Sequence, residues 1–262
     1  RGKKIKPSNF NLFAIKKNYN IIQISNFHDN DFESKLKKLN ADIFVVVAFK
    51  KIPNNILNIP KYGCINIHPS KLPKYRGAAP IQWALINGEK EIGVSIIKLS
   101  STIDAGNILK QTNLKIEPTD NFGDLYSKAS IIGSYLLLDT IELILNDLNY
   151  CGQKQNKTNV TYARKLNKND FLINWNNLND IIMNQIRAFS PYPGAFTYLN
   201  KRRFKIFNVA IIDNPFKNKI LEPGYFEINK SKLIVKTKDG FLSLLTVQIE
   251  GKKTMPIKNF LL

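Results

Sequence analysis

Apolar and polar positions follow two rhythms along the first part of the chain. "NIIQIS" (20–25) has the short β-branched run of a strand, and "DFESKLKKLN" (31–40) places its apolar residues at helical spacing. "ADIFVVVAF" (41–49) is almost wholly apolar and rich in β-branched side chains, which predicts a strand buried on both faces, as in a parallel sheet under helices. "GCINIH" (63–68) predicts another strand, ending at His68. "APIQWALINGE" (79–89) predicts a helix opened by Pro80 and stopped at Gly88. "GVSIIKLS" (93–100) and "NILKQTNLKI" (107–116) predict two more strands. A long helix is predicted over 120–147, with "PTD" as its start signal and Leu125, Ala129, Ile132, Leu136 and Ile141 near one face. Strands alternating with helices in this way predict an α/β domain over residues 1–147.

The rhythm is lost in "LNYCGQKQNKTNVTYARK" (148–165), which is polar and reads as a linker. After it, "NLNDIIMNQIRAF" (177–189) predicts one helix. Short strands are predicted at 195–199, 203–211, 223–228, 231–237 and 241–248, separated by turn signals such as Pro223-Gly224 and Asp239-Gly240. Residues 166–262 are therefore expected to form a small β-barrel, and the chain to comprise two domains.

The chain has 262 residues and a formal charge of +19. Such a balance suits a polyanionic partner, but only where cations cluster on a face. Lys accounts for 33 of the 39 basic residues, Arg for 6, and Asn reaches 32, a bias that A/T-rich codons produce by drift alone. The segment from 165 onward carries 16 basic and 7 acidic residues, which keeps an RNA-binding reading open. Two cysteines, Cys64 and Cys151, are too few for a disulfide framework, so a reducing, cytoplasmic setting is expected. No run of 18 apolar residues is present, and no membrane association is expected.

Candidate chemistry gathers in "CINIHPSKLPKYRGAAP" (64–80). Asn66 and His68 lie two apart on a strand and so share a face, at the carboxyl end where open α/β sheets hold their ligands. An Asn amide donates to a developing oxyanion, and an imidazole takes or relays a proton near neutral pH. Asp104, in "STIDAGNI", follows a strand at a predicted loop and is the carboxylate available to such a histidine. By itself Asn-x-His is a weak signal, since a lone His more often fills a structural role. His28 has no partner motif and reads as a solvated loop residue. Cys64, Trp83 and Trp175 read as core fillers, and "KRRFK" (201–205) either as a phosphate contact or as a solvated strand edge.

The longer run "NIHPSKLPKYRGAAPIQWALINGEKEIGVSIIKLSSTIDAG" resembles the folate-dependent formyltransferase family. Asn-x-His is followed by a loop similar to Ser-Leu-Leu-Pro, then by Arg-Gly-x-x-Pro at Arg76 to Pro80, then by Asp104, which stands 36 residues after His68. "YARKL", "INWN", "IRAFSPYPGAFT" and "GKKTM" extend the likeness across the chain, nearest to the members that act on charged initiator methionyl-tRNA. The resemblance implies a Rossmann-like catalytic domain joined to an OB-like β-barrel. It also implies transfer of a formyl group from 10-formyltetrahydrofolate to the methionine amine, without a metal. Asn66, His68 and Asp104 would be catalytic, Ser70, Lys71, Leu72 and Pro73 would form the folate loop, and Arg1, Lys3 and Lys4 would match a basic loop reaching the tRNA acceptor end. A monomer is expected.

Departures from the family pattern are Lys71, where Leu is usual, and Ala105, where Thr often follows the Asp. Family members also begin earlier, with a first strand, a tight turn and a helix. The domain is therefore expected to lack those elements, leaving "ADIFVVVAF" as an apolar sheet edge. Two other readings share the same motifs: a sister enzyme formylating a small amine or sugar nucleotide, and a catalytically dead RNA-binding remnant.

Overall fold

The computed structural model describes residues 7–23, 30–47, 51–216 and 219–262. His28 and the proposed tRNA contacts Arg1, Lys3 and Lys4 lie outside them. In chain order the N-terminal half comprises α1 (Asn9–Lys16), α2 (Asn30–Lys38), β1 (Phe44–Val46), α3 (Asn54–Leu57), β2 (Cys64–His68), β3 (Arg76–Gly77), α4 (Pro80–Ile86), β4 (Glu91–Lys98), β5 (Ile108–Lys115) and α5 (Phe122–Asn146). β6 (Tyr162–Ala163) and α6 (Asn179–Ala188) follow. The C-terminal half then adds β7 (Ala195–Leu199), β8 (Arg202–Ile212), β9 (Phe226–Asn229), β10 (Lys232–Lys236), β11 (Phe241–Ile249), β12 (Met255–Pro256) and α7 (Ile257–Phe260).

The first sheet has the order β1-β2-β4-β5 among the described residues. β1 and β2 run parallel, whereas β2–β4 and β4–β5 are antiparallel, so the sheet is mixed rather than parallel throughout. β1 is its edge, as expected, but it is not buried on both faces: Val45 is 44% and Val47 57% exposed. Phe44 and Val46 are half-buried, while Val45 and the following Val47 face out. No strand forms over residues 20–23, the described part of the strand expected at 20–25, and helix α1 was not foreseen. Its apolar residues Phe10, Leu12, Phe13 and Ile15 are exposed and only Ala14 is buried, so it shows no amphipathic stripe to read.

Helix α4 starts at Pro80 and ends before Gly88, as its sequence predicts. Helix α5 is capped by Asn121, whose side chain accepts from the Gly123 and Asp124 amides, while Asp124 closes a capping box. Its buried stripe is Leu125, Ala129, Gly133, Leu136, Thr140 and Ile144, so Ile132 and Ile141 only flank it. By length and composition α5 also suits a membrane span, yet this stripe lies packed on β4 and β5.

The C-terminal strands form an antiparallel sheet of order β7-β8-β11-β10-β9, with β12 also on β11. β11 therefore pairs with β8 on one side and with β10 and then β12 on the other, changing register between Leu244 and Val247. The sheet curls around Phe204, Ile206, Leu242, Leu244 and Val247, the barrel-like core expected, with no ladder joining β9 to β7 among the described residues. One apolar cluster runs from β2, β4 and α5 through α4 and α6 into this core, so the two halves share their interior.

Residues 148–165, read as a linker, pack against the first half along part of their length. Gln153 and Ile108 exchange two backbone hydrogen bonds, and β6 pairs in parallel with β3. Trp83 is half-buried and packs against the core, as expected. Its indole N–H donates to Arg164 O at 2.8 Å, and the Arg164 guanidinium stacks 4.6 Å above its ring. Trp175 is buried, as expected.

Candidate active site

β2 carries Asn66 and His68 on one face. His68 is buried, and its Nε2 lies 3.0 Å from Tyr75 O. A carbonyl only accepts, so Nε2 is the donor there and the remaining ring nitrogen is Nδ1. That nitrogen faces Asp104 Oδ2 at 3.7 Å, with side chains 5% and 12% exposed. The Asn66 side chain is half-buried and makes no hydrogen bond among the described residues, leaving both amide hydrogens available to a ligand.

Asp104 lies in the turn after β4, with φ +50. This left-handed conformation suits Asp or Asn better than most side chains. Its Oδ2 accepts the Gly77 N–H at 2.8 Å. Gly77 itself sits at φ +120, and a Cβ there would come within 2.6 Å of Ala163 O, so only glycine brings this amide to the carboxylate. Two residues after Asp104, a Cβ on Gly106 would lie 1.6 Å from Lys98 O; the turn closes because that atom is missing.

The loop Ser70–Pro73 is held by side chains of its own and of neighbouring strands. Ser70 Oγ donates to Lys74 O at 2.7 Å, so this hydroxyl braces the loop rather than pointing to a ligand. The fully buried Ser95 hydroxyl donates to Ser70 O at 2.6 Å and receives bonds from Leu72 N and Gln111 Nε2. Gln111 also donates to Leu72 O at 3.0 Å, and the Leu72–Pro73 peptide is cis. Lys71, Leu72 and Pro73 line a cavity of about 340 Å³ bounded also by Tyr75, Glu89 and Gln111. Asn66, His68 and Asp104 do not line it. Lys71 is half-exposed and lies 3.7 Å from Glu91, so the departure from Leu places a neutralised cation at this rim.

Two groups nearby carry shifted proton affinities. Burial pushes the Cys64 thiol up to about 11, which fits its place as an apolar filler. Burial, helped by the Glu89 carboxylate at 2.7 Å, raises the Tyr75 phenol to about 12, so it remains a neutral donor. Among the described residues, no three His, Cys, Asp or Glu side chains converge as a metal site.

One site residue escaped the sequence. Gln155, in the stretch read as a linker, receives both Nε and Nη2 of Arg76 on its Oε1 and donates from Nε2 to Asp104 O and Gly106 O. A single Gln in a polar, aperiodic run gives no local signal for this.

A His and an Asp thus face each other beside an unbonded Asn amide, at the carboxyl end of a strand on an α/β scaffold. Residues 2–141 match the family described as formyl transferase, and residues 165–262 match the formyl transferase C-terminal domain. The chain belongs to the formyl transferase family. Within it, methionyl-tRNA formyltransferase of Thermodesulfovibrio yellowstonii is 40% identical over 262 residues, covering 100% of this chain and 83% of that protein. Among solved structures, an N-formyltransferase from Helicobacter canadensis in complex with folinic acid and dTDP-3-aminofucose superposes at a TM-score of 0.66, with 26% identity, covering 89% of this chain and 80% of that one. Methionyl-tRNA formyltransferase from Clostridium thermocellum shares the fold at a TM-score of 0.58 and 22% identity, covering 91% of each chain.

Proposed function

We propose that this chain formylates the amino group of initiator methionyl-tRNA with 10-formyltetrahydrofolate as donor, and that Asn66, His68 and Asp104 carry the transfer. The observation behind the site assignment is the commitment of His68 Nε2 to Tyr75 O, which leaves Nδ1 facing the Asp104 carboxylate. The match to methionyl-tRNA formyltransferases over the whole chain supports the substrate pair.

The amine forms a C–N bond to the formyl carbon as the bond to the folate nitrogen breaks, and one proton passes from the amine to that nitrogen. Asn66 donates to the carbonyl oxygen as negative charge builds there, an interaction whose loss typically costs about 3–4 kcal/mol of barrier. His68 Nδ1 accepts the amine proton and returns it to the leaving nitrogen. Asp104 stabilises the imidazolium between these events. The loop Ser70–Pro73, fixed by Ser95 and Gln111, would seat the folate. Arg1, Lys3 and Lys4 would meet tRNA phosphates, as the likeness of "RGKKIKPS" to the family's basic loop implies.

We further propose the division into a catalytic part (1–147), a joining segment (148–165) and a tRNA-holding part (166–262). Since one chain supplies all three site residues, we propose a monomer working without a membrane, in the cytoplasm where charged tRNA is found. The test is formylation of charged initiator tRNA by the chain and by His68→Ala. Activity lost in the variant supports the assignment, and equal activity in both removes it. A chain that formylates a small amine or amino-sugar nucleotide but not the tRNA is the sister enzyme instead.

A further inference from the structure

We propose that Gln155 is a positioning residue for formyl transfer, holding the Asp104 turn and Arg76 with one side-chain amide so that the Asp104 carboxylate stays opposite His68. The inference rests on the roles given above to His68 and Asp104.

Asp104 needs such a support. Its backbone is left-handed, at φ +50, a conformation that Asp adopts more readily than most residues but that still costs energy unless its surroundings hold it. The two hydrogens of Gln155 Nε2 straddle the turn, one on Asp104 O at 2.8 Å and the other on Gly106 O at 2.7 Å. The opposite end of the amide takes both Nε and Nη2 of Arg76 on Oε1, at 3.0 and 2.7 Å. All four bonds open to a primary amide are thereby used, and its orientation is fixed: carbonyls demand the NH₂ end and a guanidinium demands the oxygen.

Arg76 is buried and forms no ion pair among the described residues. It directly precedes Gly77, whose N–H holds Asp104 Oδ2. Gln155 thus ties together the backbone of Asp104 and the residue beside the amide that grips its carboxylate. The backbone around Gln155 is itself pinned, by the Gln153–Ile108 pair on one side and by the donation of Arg76 N to Thr161 O at 2.9 Å on the other. A rigid support of this kind matters because misplacing a reacting group by about 1 Å can cost roughly 100-fold in rate.

The test compares Gln155→Glu and Gln155→Met with the parent and with His68→Ala in the full chain. Glu keeps an acceptor for Arg76 but loses both donors to the turn and sets a carboxylate oxygen against two carbonyls. Turnover is expressed per site, with sites counted by titration with folinic acid, so a partly unfolded preparation does not distort it. KM for charged tRNA and for the formyl donor is measured alongside the unfolding midpoint.

The expected result for Gln155→Glu is a kcat lower by roughly 10- to 100-fold, with both KM values within about threefold of the parent. Gln155→Met should match it, and takes its place if the Glu variant binds no folinic acid. A per-site kcat within threefold of the parent in a variant that binds folinic acid overturns the proposal, whatever its unfolding midpoint. If His68→Ala turns over like the parent, the reading of the site fails and this inference falls with it. If His68→Ala is inactive while the Gln155 variants are not, only the positioning role is lost.

Discussion

Replacing Asp104 by Asn isolates the charge of the carboxylate from its shape. Asn tolerates the left-handed backbone at this position, and its amide oxygen still accepts the Gly77 N–H, so the turn survives. What disappears is the negative charge 3.7 Å from His68 Nδ1. The stabilisation it gives an imidazolium is about 1 kcal/mol if water screens the pair fully and about 4 kcal/mol at an effective dielectric of about 20, the value suited to partly shielded sites. Both side chains are nearly buried, which favours the upper half of that range. The expected fall in kcat is therefore about 100- to 1,000-fold. KM for tRNA and donor should hardly move, because the charge acts only when the proton is on His68. Single-turnover formylation of charged initiator tRNA at saturating donor reads the effect directly, with the unfolding midpoint as control. A rate within threefold of the parent, at an unchanged midpoint, would refute the claim that Asp104 acts through its charge.

Two further outcomes test the frame around the site. Ser95→Ala removes the hydroxyl that joins Ser70 O, Leu72 N and Gln111, at a cost of about 1–3 kcal/mol in stability by denaturant unfolding; it should also raise KM for the formyl donor more than KM for tRNA, and a donor KM left unchanged separates this loop from folate binding. Burial keeps the Cys64 thiol protonated until about pH 11, so in the native chain iodoacetamide at pH 8 should label the exposed Cys151 first, with Cys64 following only as the pH climbs toward 11 or the chain unfolds; equal labelling at pH 8, read by peptide mass spectrometry, would contradict the burial.

Rhythm and punctuation along the chain were enough to determine the elements whose causes are local. Helix α4 between Pro80 and Gly88, the span of α5, and strand β7 at 195–199 all follow from period, caps and breakers within a few residues. The motif run likewise pointed to Asn66, His68 and Asp104, and the fold brings His68 and Asp104 to 3.7 Å. Contacts between distant segments decided the rest. "ADIFVVVAF" reads as doubly buried because hydrophobicity counts side chains and not neighbours; only the sheet order makes β1 an edge with Val45 and Val47 turned outward. The stretch 148–165 reads as a linker because its residues are polar. Yet polarity is what two carbonyls and a guanidinium required of Gln155, 51 residues from Asp104 and 79 from Arg76. Which nitrogen of His68 faces Asp104 was set by a carbonyl seven residues away, on a loop shaped by Ser95 and Gln111 from other strands. Local sequence sets backbone preference and the identity of the reacting groups. Their directions are set by hydrogen bonds across the fold, which no window of neighbouring residues contains.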